Sequence, residues 1–343
     1  MGAESLHGGR VSFLVDSTMY AQGSTSPRGV YGELDEAVRT DLFYHYSTPI
    51  CAQRWLDVCE DPAYGHLELL DRMGGAVPEL AAALAADCGG THLSLTSLGP
   101  GDGAMDERIL RGLDRDFELD SYCGLDFSFE LLRTSVRRIA GAEGFRHPFP
   151  IHAICGDFTD LSVVDALRRD AAATRLFTLT GFTFGNYSET ALARNIRSLM
   201  HEGDYLLLDA RLHDFGPLPE DMAGFRDRNG TAFSSYDRAT VRRFVFGPVE
   251  VATTATAEDV HIGFDVTRSL TTVTNGLNLV IYATGLDTTM RLTGQRVRRD
   301  RLDLAVTTLY HFPDLSPWLA DVGFEVVWHR RSGGVAFFLL KPS

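Results

Sequence analysis

Three glycines at alternate positions, Gly99, Gly101 and Gly103, follow the β-prone run Leu93-Ser-Leu-Thr-Ser-Leu98 and precede a helical pattern. Glycine reaches positive φ and admits a ligand close to the backbone, and the start of the next helix presents unpaired N–H groups. Such a turn suits a nucleotide-like ligand, although glycine clusters also form ordinary strand-to-helix turns. Two later β-prone runs end in acid: Asp126, within Gly124-Leu-Asp-Phe-Ser128, and Asp157, within Gly156-Asp-Phe158. A carboxylate ending the second strand can accept both hydroxyls of a ribose. Asp157 with Phe158 can hold an adenine, the acid taking the amino group and the ring packing on the base. Asn186 follows a fourth run, and its amide offers donors and acceptors to an amino-acid-like group; asparagine is equally a left-handed turn residue.

These positions meet only if the elements carrying them alternate, and the pattern predicts that they do. Helix is expected over Pro78–Ala86, Asp106–Leu113, Phe129–Ala140, Leu161–Arg169 and Ser188–Met200, interleaved with strands at Leu93–Leu98, Ser121–Ser128, Ile151–Phe158, Arg175–Phe184 and Tyr205–Asp209. Alternation of this kind means α/β, with a parallel, doubly wound, Rossmann-like sheet whose ligands sit beyond the carboxyl ends of the strands. The N-terminal 30 residues are weakly periodic, with a short strand possible at Val11–Val15; Gly32 to about Leu70 reads as helical. From Leu212 to about Asp300, Gly, Pro and Asn punctuation separates Thr- and Val-rich alternating runs, read as antiparallel strands of a second, α+β lobe. The tail predicts a helix at Leu315–Val322 and a terminal antiparallel hairpin over 324–340. The expected division is a cofactor-binding core of 71–212 and 302–343, with 1–70 and 213–301 forming a substrate lobe.

Composition narrows the function. A net charge of −14 opposes a nucleic-acid or anionic-membrane partner, because phosphate binding needs concentrated positive surface, and a small molecule is the expected partner. The absence of a long apolar run and of a basic, apolar N-terminal pattern makes a cytoplasmic protein the default expectation. Met1-Gly2 opens a myristoylation-like start, but Leu6 stands where Ser or Thr is needed. Five scattered cysteines without a CxxC pair read as free thiols, and no metal site is expected. Lys341 is the single lysine, which leaves little room for a Schiff-base mechanism.

Gly99-x-Gly101-x-x-Ala104 satisfies a loose dinucleotide fingerprint, and Asp126 lies about 20 residues on, as that fingerprint requires. The second acidic strand end and the antiparallel final hairpin favour S-adenosylmethionine instead. The glycine turn, Gly124-Leu-Asp-Phe-Ser128, Gly156-Asp-Phe158, Thr183-Phe-Gly-Asn186 and Leu319-Ala-Asp-Val-Gly-Phe-Glu-Val-Val327 together resemble the histidine-specific methyltransferase family. Its members trimethylate the α-amino group of histidine in ergothioneine synthesis, and a fungal branch methylates a prenylated tryptophan. The resemblance covers most of 40–215 and 300–340 in matching order and is weak in the middle lobe. It implies a class I methyltransferase sheet, with Gly99, Gly101, Gly103, Asp126, Phe127, Asp157 and Phe158 holding S-adenosylmethionine. It also implies that Tyr44 reaches the cofactor and that Asn186 grips the substrate's α-amino and carboxylate groups.

The departures concern the substrate. Where the family carries a Pro-x-Tyr-Tyr-Pro-Thr-Arg run, this chain has Pro62-Ala-Tyr-Gly-His-Leu-Glu68, which keeps Tyr64, expected with Asn186 at the reaction centre, and loses its surroundings. The Glu and Ser that bind imidazole in histidine-specific members fall at about Ala305 and Thr307. An unpaired buried imidazole donor costs about 1–3 kcal/mol, so histidine is not the expected substrate. Tyr310 and His311 are offered as replacement pocket residues beside Thr307. The reading is a methyltransferase acting on a small amino-acid-like molecule, by N-methylation, in a biosynthetic pathway. The alternatives are C- or O-methylation, cyclisation through the aminobutyryl arm of the cofactor, a nicotinamide-dependent oxidoreductase, and a non-catalytic binding protein.

Overall fold

The computed structural model describes residues 5–6, 9–15, 42–157, 173–269 and 273–343. The expectations for the rest of the N-terminal 41 residues, for the helix at 161–169 and for Phe158 fall outside the described residues. In chain order the strands are β1 (Ser5–Leu6), β2 (Gly9–Val15), β3 (His92–Leu98), β4 (Glu118–Asp126), β5 (Ile151–Cys155), β6 (Thr174–Leu179), β7 (Tyr205–Arg211), β8 (His261–Arg268), β9 (Leu277–Thr289), β10 (Arg296–Leu309), β11 (Phe324–Ser332) and β12 (Val335–Pro342). The described helices are α1 (Pro49–Glu60), α2 (His66–Cys88), α3 (Ala104–Leu113), α4 (Phe129–Gly141), α5 (Glu189–Leu199), α6 (Met222–Asn229), α7 (Ala239–Ala252) and α8 (Phe312–Asp321).

Nine strands form one sheet in the order β1-β2-β5-β4-β3-β6-β7-β12-β11. From β2 to β7 the neighbours are parallel, and β12 lies antiparallel to β7 with β11 at the edge. β6 and β7 are buried on both faces along most of their length, as is the carboxyl half of β3 despite its Ser and Thr residues, which is what helices on either side of a parallel sheet require. β8, β9 and β10 form a second, antiparallel sheet. Each sheet has its own apolar core; the second joins α7 and β8–β10 to Tyr44 and Val58 from the N-terminal side. Gly9–Val15 lies in the large sheet and all of Arg296–Leu309 in the small one, across the boundaries expected at 70 and 302.

Three local expectations are corrected. The helical stretch over 32–70 is broken within its described part: Asp61 caps α1, and Gly65 at φ 89° starts α2. α2 begins twelve residues before Pro78, because Leu69, Leu70, Met73 and Val77 carry the same buried stripe as Leu80 and Leu84. β6 stops at Leu179 instead of Phe184, where Gly181 (φ 79°) and Phe182 (φ 63°) turn the chain into a short 3-10 helix, Thr183–Asn186. The second lobe is α+β, as expected, with the helices α6 and α7 beside its strands. The Gly247-Pro248 pair inside α7 reads as punctuation in sequence, yet Val241, Phe244, Val245 and Val249 bury a continuous face there.

Candidate functional site

A cleft of about 1260 Å³, open to solvent, runs along the carboxyl ends of β3, β4, β6 and β7 and is closed opposite by α1, α7 and the small sheet. On the cofactor side, Gly99 (φ 74°) and Gly101 (φ 57°) bend the chain out of β3 and line the cleft. Gly103 (φ 78°) does not line it. A Cβ there would come within 2.8 Å of the Ser135 backbone, so this glycine lets the start of α3 pack on α4. Beneath the turn, Tyr122 Oη donates to Asp106 Oδ2 at 2.7 Å and stands 3.1 Å from Ser135 Oγ, tying β4, α3 and α4 together.

Asp126 ends β4, lines the cleft and is buried. The Ser128 amide donates to its Oδ1 at 2.8 Å and the Gly101 amide also faces it, but burial outweighs both and pushes the carboxyl up to about 7. A desolvated carboxyl facing a cleft is relieved by hydroxyl donors, so the arrangement fits a ribose diol. Phe127 lines the same wall. Asp157 is exposed at the edge of the described residues and does not line the cleft; Phe158 lies beyond them.

Of the two N-terminal tyrosines, Tyr46 lines the cleft and Tyr44 does not. Tyr44 is buried in the core of the second lobe, whereas Tyr46 lines the cleft, its carbonyl accepting from Ser128 Oγ at 2.7 Å. Its ring lies 5.6 Å from Trp55, 5.8 Å from Phe127 and 5.2 Å from Phe244. Trp55 comes from α1, which begins where Thr48 Oγ1 accepts from the Cys51 amide and Pro49 takes the first helical position.

On the substrate side, Asn186 and Thr183 of the 3-10 turn line the cleft. Asp209 of β7 holds that turn: its two oxygens accept from the Gly181 and Phe182 amides at 2.8 and 2.9 Å. Gly185 presses against β10, where a Cβ would meet the Thr308 carbonyl oxygen at 2.6 Å. Burial pushes Asp209 up to about 7. Tyr64 lines the cleft edge-on to Trp55, and burial raises its phenol above the ordinary range. Thr307 and Ala305 line the far wall with Ile281 and Val306.

Tyr310 and His311 are not pocket residues. Tyr310 is buried under the sheet, donating to Glu189 Oε1 at 2.9 Å, and His311 bonds Asp314 at 2.7 Å and stacks on His213. Thr307 to His311 leave the lobe sheet and cross back to the core, so adjacency in sequence carries them away from the cleft.

Sequence reasoning missed Arg211, Tyr236 and His66, all of which line the cleft. His66 opens α2; burial lowers its pKa, leaving the ring neutral, and its Nε2 has no hydrogen-bond partner among the described residues. A signal for Arg211 was present, since Asp209 and Arg211 interrupt an apolar strand at alternate positions and so share a face at its carboxyl end.

Residues 68–214 match the model of the histidine-specific, S-adenosylmethionine-dependent methyltransferase family. No curated protein matches the chain. Among solved structures, an S-adenosylmethionine-dependent methyltransferase from Clostridium acetobutylicum is 11% identical, with 85% of this chain and 99% of that one covered and a TM-score of 0.43. The methyltransferase SibL, in its apo form, is 15% identical over 95% and 72% of the two chains, with a TM-score of 0.41. DhpI, solved with S-adenosylhomocysteine, is 12% identical over 86% and 97%, at 0.39.

Proposed function

We propose that this chain, an S-adenosylmethionine-dependent methyltransferase by the family segment at 68–214, methylates nitrogen on a small amino-acid-like molecule other than histidine, as a biosynthetic step. The observation that carries the reading is the convergence in one cleft of the glycine turn, Asp126 and Asn186; the wall facing them carries Ala305, at about the position where the family resemblance puts the imidazole-binding carboxylate. The cofactor, when bound, supplies an electrophilic methyl group on sulfonium, whose departing thioether needs no acid.

The protein's task is alignment. Gly99 and Gly101 leave room for the cofactor's backbone contacts, and Asp126 takes the ribose hydroxyls. Asn186, fixed at the end of a turn braced by Asp209 and Gly185, offers its amide to the substrate's polar head. Tyr46, Trp55 and Phe244 exclude water around the transfer path. Holding donor and acceptor about 3–3.5 Å apart in line converts a bimolecular step into an effectively unimolecular one. An amine must lose its proton before it attacks, and His66, held neutral by burial, faces the cleft as an acceptor.

The test supplies methyl-labelled S-adenosylmethionine and a panel of aromatic and aliphatic amino acids, with histidine included, and reads product mass and fragmentation. Label on the nitrogen of a non-histidine substrate supports the reading. Label on carbon or oxygen, transfer of the aminobutyryl arm, or preference for histidine overturns it.

A further inference from the structure

Arg211 ends β7 and turns its guanidinium into the cleft. It lies over the Phe182 ring at 4.1 Å and beside Tyr236 at 5.1 Å and Tyr64 at 5.3 Å. Its Nη1 donates to Tyr236 Oη. Among the described residues no carboxylate lies within ion-pair distance of it, in a chain where most arginines near an acid form such pairs. The nearest acid on its own strand face, Asp209, has both oxygens engaged by the Gly181 and Phe182 amides. Aromatic faces stabilise a cation only weakly and do not replace the hydration lost on burial. A guanidinium has five N–H donors in a planar fork shaped for a carboxylate, and Tyr236 occupies one.

Position separates this cation from the cofactor. Asp126 ends β4 and Arg211 ends β7, with β3 and β6 between them. Three inter-strand steps of about 4.8 Å put the two strand ends roughly 14 Å apart, with the Asn186 turn at β6 lying on the Arg211 side. Around the guanidinium the cleft turns apolar: Trp55, Val241, Phe244, Val245, Ile281 and Ala305 line it.

We infer that Arg211 is the anchor for a carboxylate on the methyl acceptor, and that the acceptor is a monocarboxylate with an apolar, aryl-sized body laid against the Trp55–Phe244 wall. The inference rests on the methyltransferase reading and deepens it by naming what the substrate must carry. Arginine and not lysine suits this place, because a planar fork can stack on Phe182 and bind two oxygens at once.

The experiment titrates wild type, Arg211→Gln and Arg211→Lys, each saturated with S-adenosylhomocysteine, with L-phenylalanine, L-tyrosine and L-tryptophan and with the matching amines phenethylamine, tyramine and tryptamine. Thermal unfolding of each variant confirms that it is folded. The expected result is that at least one acid binds wild type and its amine binds far more weakly. Arg211→Gln should lose about ten- to hundredfold in affinity for the acid, the effect of charge-assisted hydrogen bonds, and Arg211→Lys should recover only part. Affinity for S-adenosylhomocysteine should be the same in all three proteins. Equal binding of acid and amine, unchanged acid affinity in Arg211→Gln, or no acid bound while S-adenosylhomocysteine binds overturns the inference and leaves the methyltransferase reading standing. A fall in S-adenosylhomocysteine affinity in the variants assigns Arg211 to the cofactor and also overturns it. Failure of wild type to bind S-adenosylhomocysteine overturns both.

Discussion

Acid is expected to weaken binding of S-adenosylhomocysteine, and Asp126 sets how much. Burial holds this carboxyl at about 7, against the opposing pull of the Ser128 and Gly101 amides. Two hydroxyl donors bond the ionised form better than the neutral one, so the ligand lowers the pKa and binding releases a proton at neutral pH. Below pH 7 the carboxyl must first be ionised, and affinity falls about tenfold per unit, so that at pH 5 the loss is about a hundredfold, or about 2.7 kcal/mol. The sign for the folded protein alone is the opposite. An acid whose folded pKa is raised favours the fold below its unfolded value near 3.9, and that contribution is lost as pH rises toward 7. Asp209, also at about 7, adds in the same direction. Calorimetry from pH 5 to 8.5, in buffers of different ionisation enthalpy, measures both affinity and protons released. Asp126→Asn should bind weakly and without this pH slope, which isolates Asp126 from His66 and Asp209. Affinity that is flat across the range, or a variant with the wild-type slope, refutes the reasoning.

Two further substitutions test the supports of the site. Asp209→Ala frees the Gly181 and Phe182 amides from their buried acceptor, at about 1–3 kcal/mol each, and should lower kcat more than S-adenosylhomocysteine affinity because the turn that carries Asn186 loosens; denaturant unfolding and steady-state kinetics check the two parts. Gly185→Ala sets a methyl against the Thr308 carbonyl oxygen at 2.6 Å, a backbone contact that cannot yield by side-chain rotation. Its expected cost is about 1–3 kcal/mol, read from urea unfolding, with substrate turnover impaired through displacement of Thr307 and Asn186.

The alternating core was legible because each element carries its own local signal: apolar runs for β3, β4 and β7, strong amphipathy for α3, α4 and α5, and a glycine turn between the first pair. The gathering of Gly99, Gly101, Asp126 and Phe127 in one cleft followed too, since they sit where strand ends must lie. Gly103 did not follow, because a glycine that admits a ligand and a glycine that admits a neighbouring helix look alike in sequence. Tyr44 and Tyr46 are two residues apart across the 3-10 turn Leu42–His45 and the bend after it, and only the folded turn decides which one enters the cleft. On the substrate side, Tyr310 and His311 were picked for chemistry and nearness to Thr307, yet the chain leaves the cleft between them. Arg211 escaped notice for the reverse reason: the rings that surround it, Phe182, Tyr64 and Tyr236, come from three separate parts of the chain.

The most direct test of the central claim is calorimetric titration of the purified protein with S-adenosylmethionine and S-adenosylhomocysteine at pH 8, with NAD⁺ as the control and Asp126→Ala alongside. The account predicts saturable one-site binding of both sulfur ligands, loss of that binding in the variant, and no heat with NAD⁺. Binding of NAD⁺ in their place, or no binding of either sulfur ligand by folded protein, would contradict it.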